Sequence, residues 1–375
     1  MKKRIGIVAG TRPEAIKLVP VYYALQDSES FSVSFISTGQ HKEMLDPILG
    51  FFNIQPDFDF GLMQSAQGLA SLSARLLDAF DQLFSINRFD LIIVQGDTTS
   101  AFIAGLSAYY KQIPIAHIEA GLRTHDIYAP FPEEVNRRCI STFANLHFAP
   151  TAFAEKVLLD ENRTGVHMVG NTVIDSVELC KSMLNKSQEH YLFKLEEWLN
   201  SESRIVAITA HRREQFGIGL EHICEAIKQI AESHPEIKFL FPVHMNPAVE
   251  KQVFKVLKDV PNISLLNPMN YDEWIFILQR CYLILTDSGG IQEEALALHI
   301  PVMVMRDKTE RPEGIASGGA ILCGTEKTNI IEAFESIVSS EQRYKAMKEA
   351  LNPYGDGKSS KRISTIISDY LNSKV

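Results

Sequence analysis

Short aliphatic runs alternate with longer helix-patterned segments along almost the whole chain. This feature restricts the fold more than any other, because such alternation is typical of parallel sheets covered by helices on both faces. It occurs in two series, so we predict an α/β protein with two Rossmann-like domains facing each other across a cleft. The predicted strands lie at residues 5–9, 33–37, 91–95, 115–118 and 146–149, and then at 205–209, 239–243, 263–266, 283–286 and 302–305.

A polar stretch at residues 170–203 separates the two series, and we place the connection between the domains there. A chain of 375 residues exceeds the size at which one hydrophobic core usually stops growing. We predict an N-terminal domain of residues 1–170 and a C-terminal domain of residues 171–357, with the final helix, 358–375, returning to the first domain. The predicted helices lie at 14–26, 69–84, 100–110, 132–143, 152–160, 191–199, 220–233, 272–281 and 359–371.

Charge and cysteine content argue against several classes of protein. The net charge is −9 and no basic block occurs, which argues against nucleic acid and anionic membranes as partners. The five cysteines are scattered without a CxxC pair, so we expect core residues and no disulfide framework or zinc site. The N-terminal apolar run is too short for a signal peptide or a membrane span. We expect a cytoplasmic protein.

A turn of small residues lies between a predicted strand and a predicted helix in the segment YLILTDSGGIQEEALAL. Ser288, Gly289 and Gly290 leave backbone N–H groups open where the helix begins, and glycine lets an anion approach closely. Glu293 and Glu294 in the first helical turn can hold sugar hydroxyls. The pattern indicates a phosphate site, although on this stretch alone an ordinary turn with dipole-favoured acids explains it equally well.

Ligands in such sheets lie beyond the carboxyl ends of the strands, so the other turns after strands are also candidate sites. The first such turn, GTRPEAIK, supplies the cations Arg12 and Lys17, for which a solvated helix start with a salt bridge to Glu14 is the alternative. The turn GDTTS supplies Asp97, which taken alone is more typical of a helix N-cap.

The loop after the strand at 115–118 reads HIEAGLRTHDIYAPFPEEVNRR and is rich in charged residues, including Glu119, Arg123 and Glu133. Paired carboxylates near arginines suit proton transfer beside a phosphate leaving group, because one group moves the proton and the cations stabilise the departing charge. The alternative is a charged capping loop at a subunit contact.

The second series carries further cations at its strand ends. TAHRRE places His211 beside Arg212 and Arg213, where phosphate contact is the favoured interpretation and a structural histidine the alternative. In PVHMNP, His244 is equally consistent with a simple turn residue. TERPEG adds Arg311 as a further phosphate or ribose contact.

These motifs together resemble the non-hydrolysing bacterial UDP-N-acetylglucosamine 2-epimerases along almost the whole chain. The motifs are GTRPEAIK, GQHKEMLD, GDTTS, HIEAGLRT, PFPEEVNR, TAHRRE, PVHMNP, DSGGIQEEA, TERPEG and NPYGDG. The resemblance implies a glycosyltransferase-B-type fold, a homodimer, no metal or other cofactor, and UDP held mainly by the second domain. It also implies reversible conversion of UDP-N-acetylglucosamine to UDP-N-acetylmannosamine through elimination of UDP to 2-acetamidoglucal, supplying surface polysaccharide synthesis.

The resemblance also implies roles residue by residue. Asp97, Glu119 and Glu133 match the family's catalytic acids, and His211 matches its functional histidine. The positions that match its nucleotide-binding residues are Arg12, Lys17, Arg123, Ser288, Gly289, Gly290, Glu294 and Arg311.

A regulatory site is implied in the same way. In some relatives, residues matching Gln40 and His41, with an arginine shortly after, bind a second substrate molecule as an activator. Ala66 stands at that arginine position here, so we expect a weakened activator site.

Three other activities remain open at the level of sequence: a hydrolysing epimerase that releases free N-acetylmannosamine, a UDP-sugar glycosyltransferase of the same fold, and a non-catalytic sugar-nucleotide sensor. The transferase leaves the several acids of the first domain unexplained, and a sensor is expected to have lost some of them. Similarity of fold does not exclude the hydrolysing type.

Overall fold

A computed structural model describes residues 2–40, 42–62, 68–184, 203–212 and 215–373. The predicted helix at 191–199 and the residues His41, Ala66 and Arg213 lie outside this range. The chain divides into two compact units, Met1–Glu178 with Gly355–Val375, and Leu179–Tyr354. Each unit is described by itself.

The first unit is built on a sheet of seven parallel strands. The strands are β1 (Lys3–Ala9), β2 (Phe31–Ser37), β3 (Phe58–Asp59), β4 (Leu91–Gln95), β5 (Ile115–Ile118), β6 (Leu146–Ala149) and β7 (Val166–Met168). Their order in the sheet is β3-β2-β1-β4-β5-β6-β7. The helices are α1 (Arg12–Gln26), α2 (Lys42–Phe51), α3 (Leu69–Ile86), α4 (Thr99–Tyr110), α5 (Glu133–Phe143), α6 (Ala152–Asp160) and α7 (Thr172–Leu184).

The second unit repeats the plan with six parallel strands. They are β8 (Ile205–Thr209), β9 (Lys238–Pro242), β10 (Ile263–Leu266), β11 (Leu283–Thr286), β12 (Val302–Val304) and β13 (Ala320–Leu322), in the order β10-β9-β8-β11-β12-β13. The helices are α8 (Ile218–Ser233), α9 (Pro247–Leu257), α10 (Tyr271–Leu278), α11 (Gly289–Ala297), α12 (Pro312–Ala316), α13 (Lys327–Val338) and α14 (Glu341–Lys348).

The last helix, α15 (Ser359–Asn372), packs against α1 in the first unit. Asp175 in α7 caps it, because its carboxylate accepts hydrogen bonds from the backbone N–H groups of Ser359 at 3.2 Å and Ser360 at 2.8 Å. These bonds tie the start of α7 to the first unit. The division between the two units falls within α7, between Glu178 and Leu179.

The predicted α/β fold with two Rossmann-like units is confirmed, because aliphatic runs that are buried on both faces form the central strands of both sheets. The division between the units lies within the segment 170–203, where the connection was predicted. That segment begins with α7, most of whose side chains are buried. The short strands β3, β7 and β13, of two or three residues each, were not predicted.

Four of the five cysteines are buried, as expected of core residues. Among the described helices, none has the length and apolar content needed to cross a bilayer.

Candidate active site

Three neighbouring strands bring predicted site residues to one edge of the first sheet. β1, β4 and β5 are adjacent, and they are followed in the chain by Lys17, Asp97 and Glu119 respectively. Because the carboxyl ends of parallel strands meet at the same edge, these side chains gather there. Glu133, at the start of α5, adds its negative charge to the surroundings of Asp97.

Two side chains hold Glu119 in place. The Lys17 ammonium forms an ion pair with one carboxylate oxygen, and the buried Gln95 amide donates a hydrogen bond to the other. The Glu119 backbone has a φ of 62°, a left-handed conformation that non-glycine residues seldom adopt outside functional or tightly constrained sites. The carboxylate is therefore fixed at the end of β5. Gln95 was not predicted as a site residue.

Glu14 caps α1, the helix that carries the two predicted cations. Its carboxylate accepts hydrogen bonds from the backbone N–H groups of Gly10 at 3.0 Å and Thr11 at 2.7 Å, and from the Thr98 hydroxyl at 2.6 Å. Burial raises the pKa of Glu14, and these hydrogen bonds oppose that rise. A salt bridge to Glu14 was the alternative role for the cations of this turn. Lys17 instead pairs with Glu119. Arg12 is half-buried at the first position of this helix.

Asp97 is not a helix N-cap. Thr98 takes that position, because its hydroxyl accepts a hydrogen bond from the backbone N–H of Ala101 at 3.0 Å at the start of α4. The Asp97 carboxylate lies 3.1 Å from Arg137 Nε and keeps 26% of its side chain exposed. Burial of the rest raises the pKa of Asp97 to about 7. The structure thus gives Asp97 the properties of a proton-transfer group near neutral pH.

Arg137 connects Asp97 to a fully buried acid. Its Nε also lies 3.7 Å from Glu134, whose side chain is 0% exposed. The Glu134 carboxylate accepts hydrogen bonds from the backbone N–H groups of Thr124 at 3.0 Å and His125 at 3.3 Å. Of the two adjacent glutamates at the start of α5, Glu134 therefore orders the loop. Arg137 belonged to the charged loop in the sequence but was not among the predicted site residues.

Arg123 has a structural role in this conformation. Its guanidinium side chain is 1% exposed and binds both oxygens of Glu161, at 2.8 and 2.9 Å. It also donates to the Ser141 hydroxyl at 3.0 Å. An arginine buried in this way fixes the loop after β5 and offers no surface to a ligand phosphate.

In the second unit, Asp287 fixes His211 at the end of β8. One Asp287 oxygen accepts the backbone N–H groups of His211 at 2.7 Å and Arg212 at 2.8 Å, and the other lies 3.3 Å from His211 Nδ1. The His211 ring stacks on that of His244, with centroids 5.5 Å apart and planes 7° apart. Burial lowers the pKa of His211, with a smaller opposing effect from Asp287. The contacts with Asp287 and His244 thus orient the His211 ring.

The predicted phosphate turn lies between two arginines. Ser288 is the N-cap of α11, so Gly289 and Gly290 begin the helix. A Cβ added at Gly289 would lie 3.9 Å from Arg212 Nη2 and 4.0 Å from Arg311 Cζ. One added at Gly290 would meet no described residue outside its own helix within 4 Å. Open N–H groups at a helix start beside two guanidinium groups form an anion-binding arrangement.

The two adjacent glutamates of α11 have different partners. Glu293 is buried and forms an ion pair with Arg311 Nε, which fixes that arginine. Glu294 accepts a hydrogen bond from the indole N–H of Trp274 at 3.3 Å. The pairing of Glu293 with Arg311 was not predicted, because the two residues belong to separate motifs.

Gln40, the described residue of the predicted activator site, is held by Ser100, whose hydroxyl lies 2.7 Å from the Gln40 side-chain oxygen. The described residues include no group of three or more His, Cys, Asp or Glu side chains that could hold a metal ion.

The fold and site define a class: an α/β protein with two parallel sheets, one bearing an acid cluster at its strand ends and the other a glycine turn beside two arginines. Residues 23–368 match the family model described as UDP-N-acetylglucosamine 2-epimerase. The chain belongs to the UDP-N-acetylglucosamine 2-epimerase family, which confirms the resemblance drawn from the motifs.

Individual relatives match over nearly their whole length. The UDP-N-acetylglucosamine 2-epimerase of Campylobacter jejuni is 41% identical over 98% of each chain. That of Escherichia coli strain K12 is 42% identical over 96% of this chain and 97% of its own. Among solved structures, the Neisseria meningitidis UDP-GlcNAc 2-epimerase bound to UDP-GlcNAc is 39% identical, with a TM-score of 0.92 over 98% of this chain and 100% of its own.

Proposed function

We propose that this protein interconverts UDP-N-acetylglucosamine and UDP-N-acetylmannosamine without hydrolysing them. The observation that carries the proposal is Asp97, an acid whose pKa is raised to about 7 by burial, beside the Lys17–Glu119 ion pair. The Neisseria relative is described with UDP-GlcNAc bound, and a Methanocaldococcus jannaschii relative, 31% identical, with UDP-GlcNAc and UDP.

The proposed reaction begins with an elimination. A carboxylate removes the proton from carbon 2, the electron pair forms the carbon 1 to carbon 2 double bond, and the bond from carbon 1 to the UDP oxygen breaks. The products are 2-acetamidoglucal and UDP. Re-addition of UDP with a proton delivered to the opposite face of carbon 2 gives the epimer. Proton transfer on two faces requires more than one acid, which Asp97, Glu119 and Glu133 supply.

The second unit is proposed to bind UDP. Arg212 and Arg311 beside the N–H groups of Gly289 and Gly290 suit a pyrophosphate, and Glu294 suits ribose hydroxyls. Ser288 and His211 complete this set. In the first unit, Arg12 and Lys17 are the proposed substrate-binding cations. Arg123 is left out because its guanidinium is buried against Glu161. A cytoplasmic homodimer that supplies polysaccharide synthesis is the proposed setting.

NMR spectroscopy of the protein with UDP-N-acetylglucosamine alone in deuterated water tests the proposal. We expect a mixture of the two UDP-sugars with deuterium at carbon 2, because the proton is exchanged during elimination. Free N-acetylmannosamine and UDP would indicate the hydrolysing type. No reaction would favour a transferase or a sensor, and an epimer still fully protonated at carbon 2 would contradict solvent-exchanging proton transfer.

A further inference from the structure

A buried histidine, His117 on β5, contacts the backbone segment that leads to Asp97. Its Nε2 is 2.8 Å from the carbonyl oxygen of Gly96. A carbonyl only accepts hydrogen bonds, so Nε2 must carry the proton. The backbone N–H of Gly96 in turn donates to the Ile118 carbonyl at 3.0 Å. Gly96 is therefore bonded to β5 through both its N–H and its C=O.

These two bonds connect the positions of the acids. Gly96 directly precedes Asp97. His117 lies on β5, two residues before Glu119. Gly96 has a φ of 66° and Glu119 a φ of 62°. The backbone therefore adopts a left-handed conformation directly after β4 and directly after β5. A shift of the Gly96 carbonyl would move Asp97 relative to the carboxylate that Lys17 and Gln95 hold.

The imidazole stays neutral over the pH range in which the enzyme is expected to work. Burial lowers the pKa of His117 to about 3, and the charged or titratable groups around it are His147, Arg123 and Glu119. His147 is its direct neighbour on β6. Among the described residues, Nδ1 of His117 has no hydrogen-bond partner. The bond to Gly96 is thus the polar contact that orients the ring.

We propose that His117 is a positioning residue, whose Nε2–H bond to the Gly96 carbonyl sets the separation of Asp97 and Glu119. This inference rests on the proposed function, in which those acids transfer protons. A buried histidine that only filled space would have no effect on the relation between the two acids.

Two amide substitutions distinguish a positioning role of His117 from a role in filling space only. In His117→Gln the side-chain amide nitrogen reaches the position of Nε2, so the bond to Gly96 is kept. In His117→Asn the amide reaches only the position of Nδ1, so the bond is lost. Misplacing a reacting group by about 1 Å can lower the rate by about 100-fold. We expect His117→Asn to lower kcat by about tenfold or more with unchanged KM and UDP affinity, and His117→Gln to stay within about threefold of wild type.

The pH profile and a neighbouring variant provide the controls. The pH dependence of kcat should show an apparent pKa near 7. This apparent pKa should shift in His117→Asn, because the surroundings of Asp97 change, and should not shift in His147→Asn. Equal kcat values and pH profiles in the two His117 variants would overturn the inference while leaving the epimerase activity of the wild type intact. Loss of activity in the wild type itself would instead overturn the proposed function.

A measurement on the wild type does not depend on the folding of any variant. Nitrogen-15 NMR of labelled histidine should show His117 as the neutral Nε2–H form from about pH 5 to 9. A neutral ring in the Nδ1–H form would exclude donation to Gly96, and with it the inference.

Discussion

Arg137 lies 3.1 Å from the carboxylate of Asp97, yet the pKa of Asp97 is raised to about 7. Burial is the largest cause, and the charges of Glu119 and Glu133 act in the same direction. The attractions of Arg137 and Lys17 offset only part of this rise. Both protonation states of Asp97 are therefore populated near neutral pH, so one group can deliver a proton in one direction of a reversible reaction and remove it in the other.

Replacing the acids by amides should stop proton transfer while nearly preserving size. Because a general acid or base contributes about 10² to 10⁴ to the rate, we expect Asp97→Asn to lower kcat by about 100-fold or more. Glu119→Gln and Glu133→Gln should also lower kcat strongly. UDP affinity, measured by calorimetry, should remain largely unchanged. Near-normal kcat in all three variants would remove the proposed acid–base set.

Asp97→Asn should also change the pH dependence of stability. The pKa of Asp97 rises from an ordinary value of 3.8 to about 7 on folding, so ionisation of this group disfavours the folded state. Its contribution to stability is fully present below pH 4 and is lost as the pH rises to about 7. The amide does not ionise, so the melting temperature of the variant should exceed that of wild type at pH 8 by more than at pH 5. The same difference at both pH values would contradict a raised pKa.

Gly290→Val tests the anion-binding turn. A Cβ at Gly290 meets no atom of the described residues outside its own helix backbone within 4 Å, so the variant should fold normally. Its side chain would occupy the space in which we propose that a phosphate approaches the backbone. We expect UDP affinity to fall by about tenfold or more, because charge-assisted hydrogen bonds contribute about 1.5–3 kcal/mol each. Gly50→Val on α2, where a Cβ also meets nothing within 4 Å, is the matched control and should leave UDP affinity unchanged. Equal UDP affinities in both variants would contradict the turn as a phosphate site.

Much of the fold could be predicted from sequence because the central strands are buried on both faces and carry continuous aliphatic runs. The placement of site residues at strand ends follows from the same pattern. Their partners could not be predicted, because they come from distant parts of the chain. Asp287 is 76 positions from His211 and meets it only because β8 and β11 are adjacent in the sheet.

The burial of individual arginine side chains could not be predicted from the sequence either. Arg123 and Arg311 both match nucleotide-binding positions of the family. The Arg123 guanidinium is buried in an ion pair with Glu161, whereas Arg311 lies beside the glycine turn. No residue close to Arg123 in the sequence indicates that an acid buries its guanidinium. Glu161 is 38 residues from Arg123 and belongs to a different element.

The contrast between the two arginines gives the last prediction. Arg123→Ala removes one partner of a buried ion pair, and such changes cost about 3–5 kcal/mol when the remaining charge is buried. Because Glu161 is partly exposed, with 29% of its side chain accessible, we expect a smaller but clear loss of stability, measured as melting temperature. UDP affinity should be unchanged in the folded protein. Arg311→Ala should lower UDP affinity by about tenfold or more, since it removes a guanidinium beside the phosphate turn. If Arg123→Ala lowered UDP affinity as strongly as Arg311→Ala without lowering the melting temperature, Arg123 would have to leave Glu161 to bind the nucleotide.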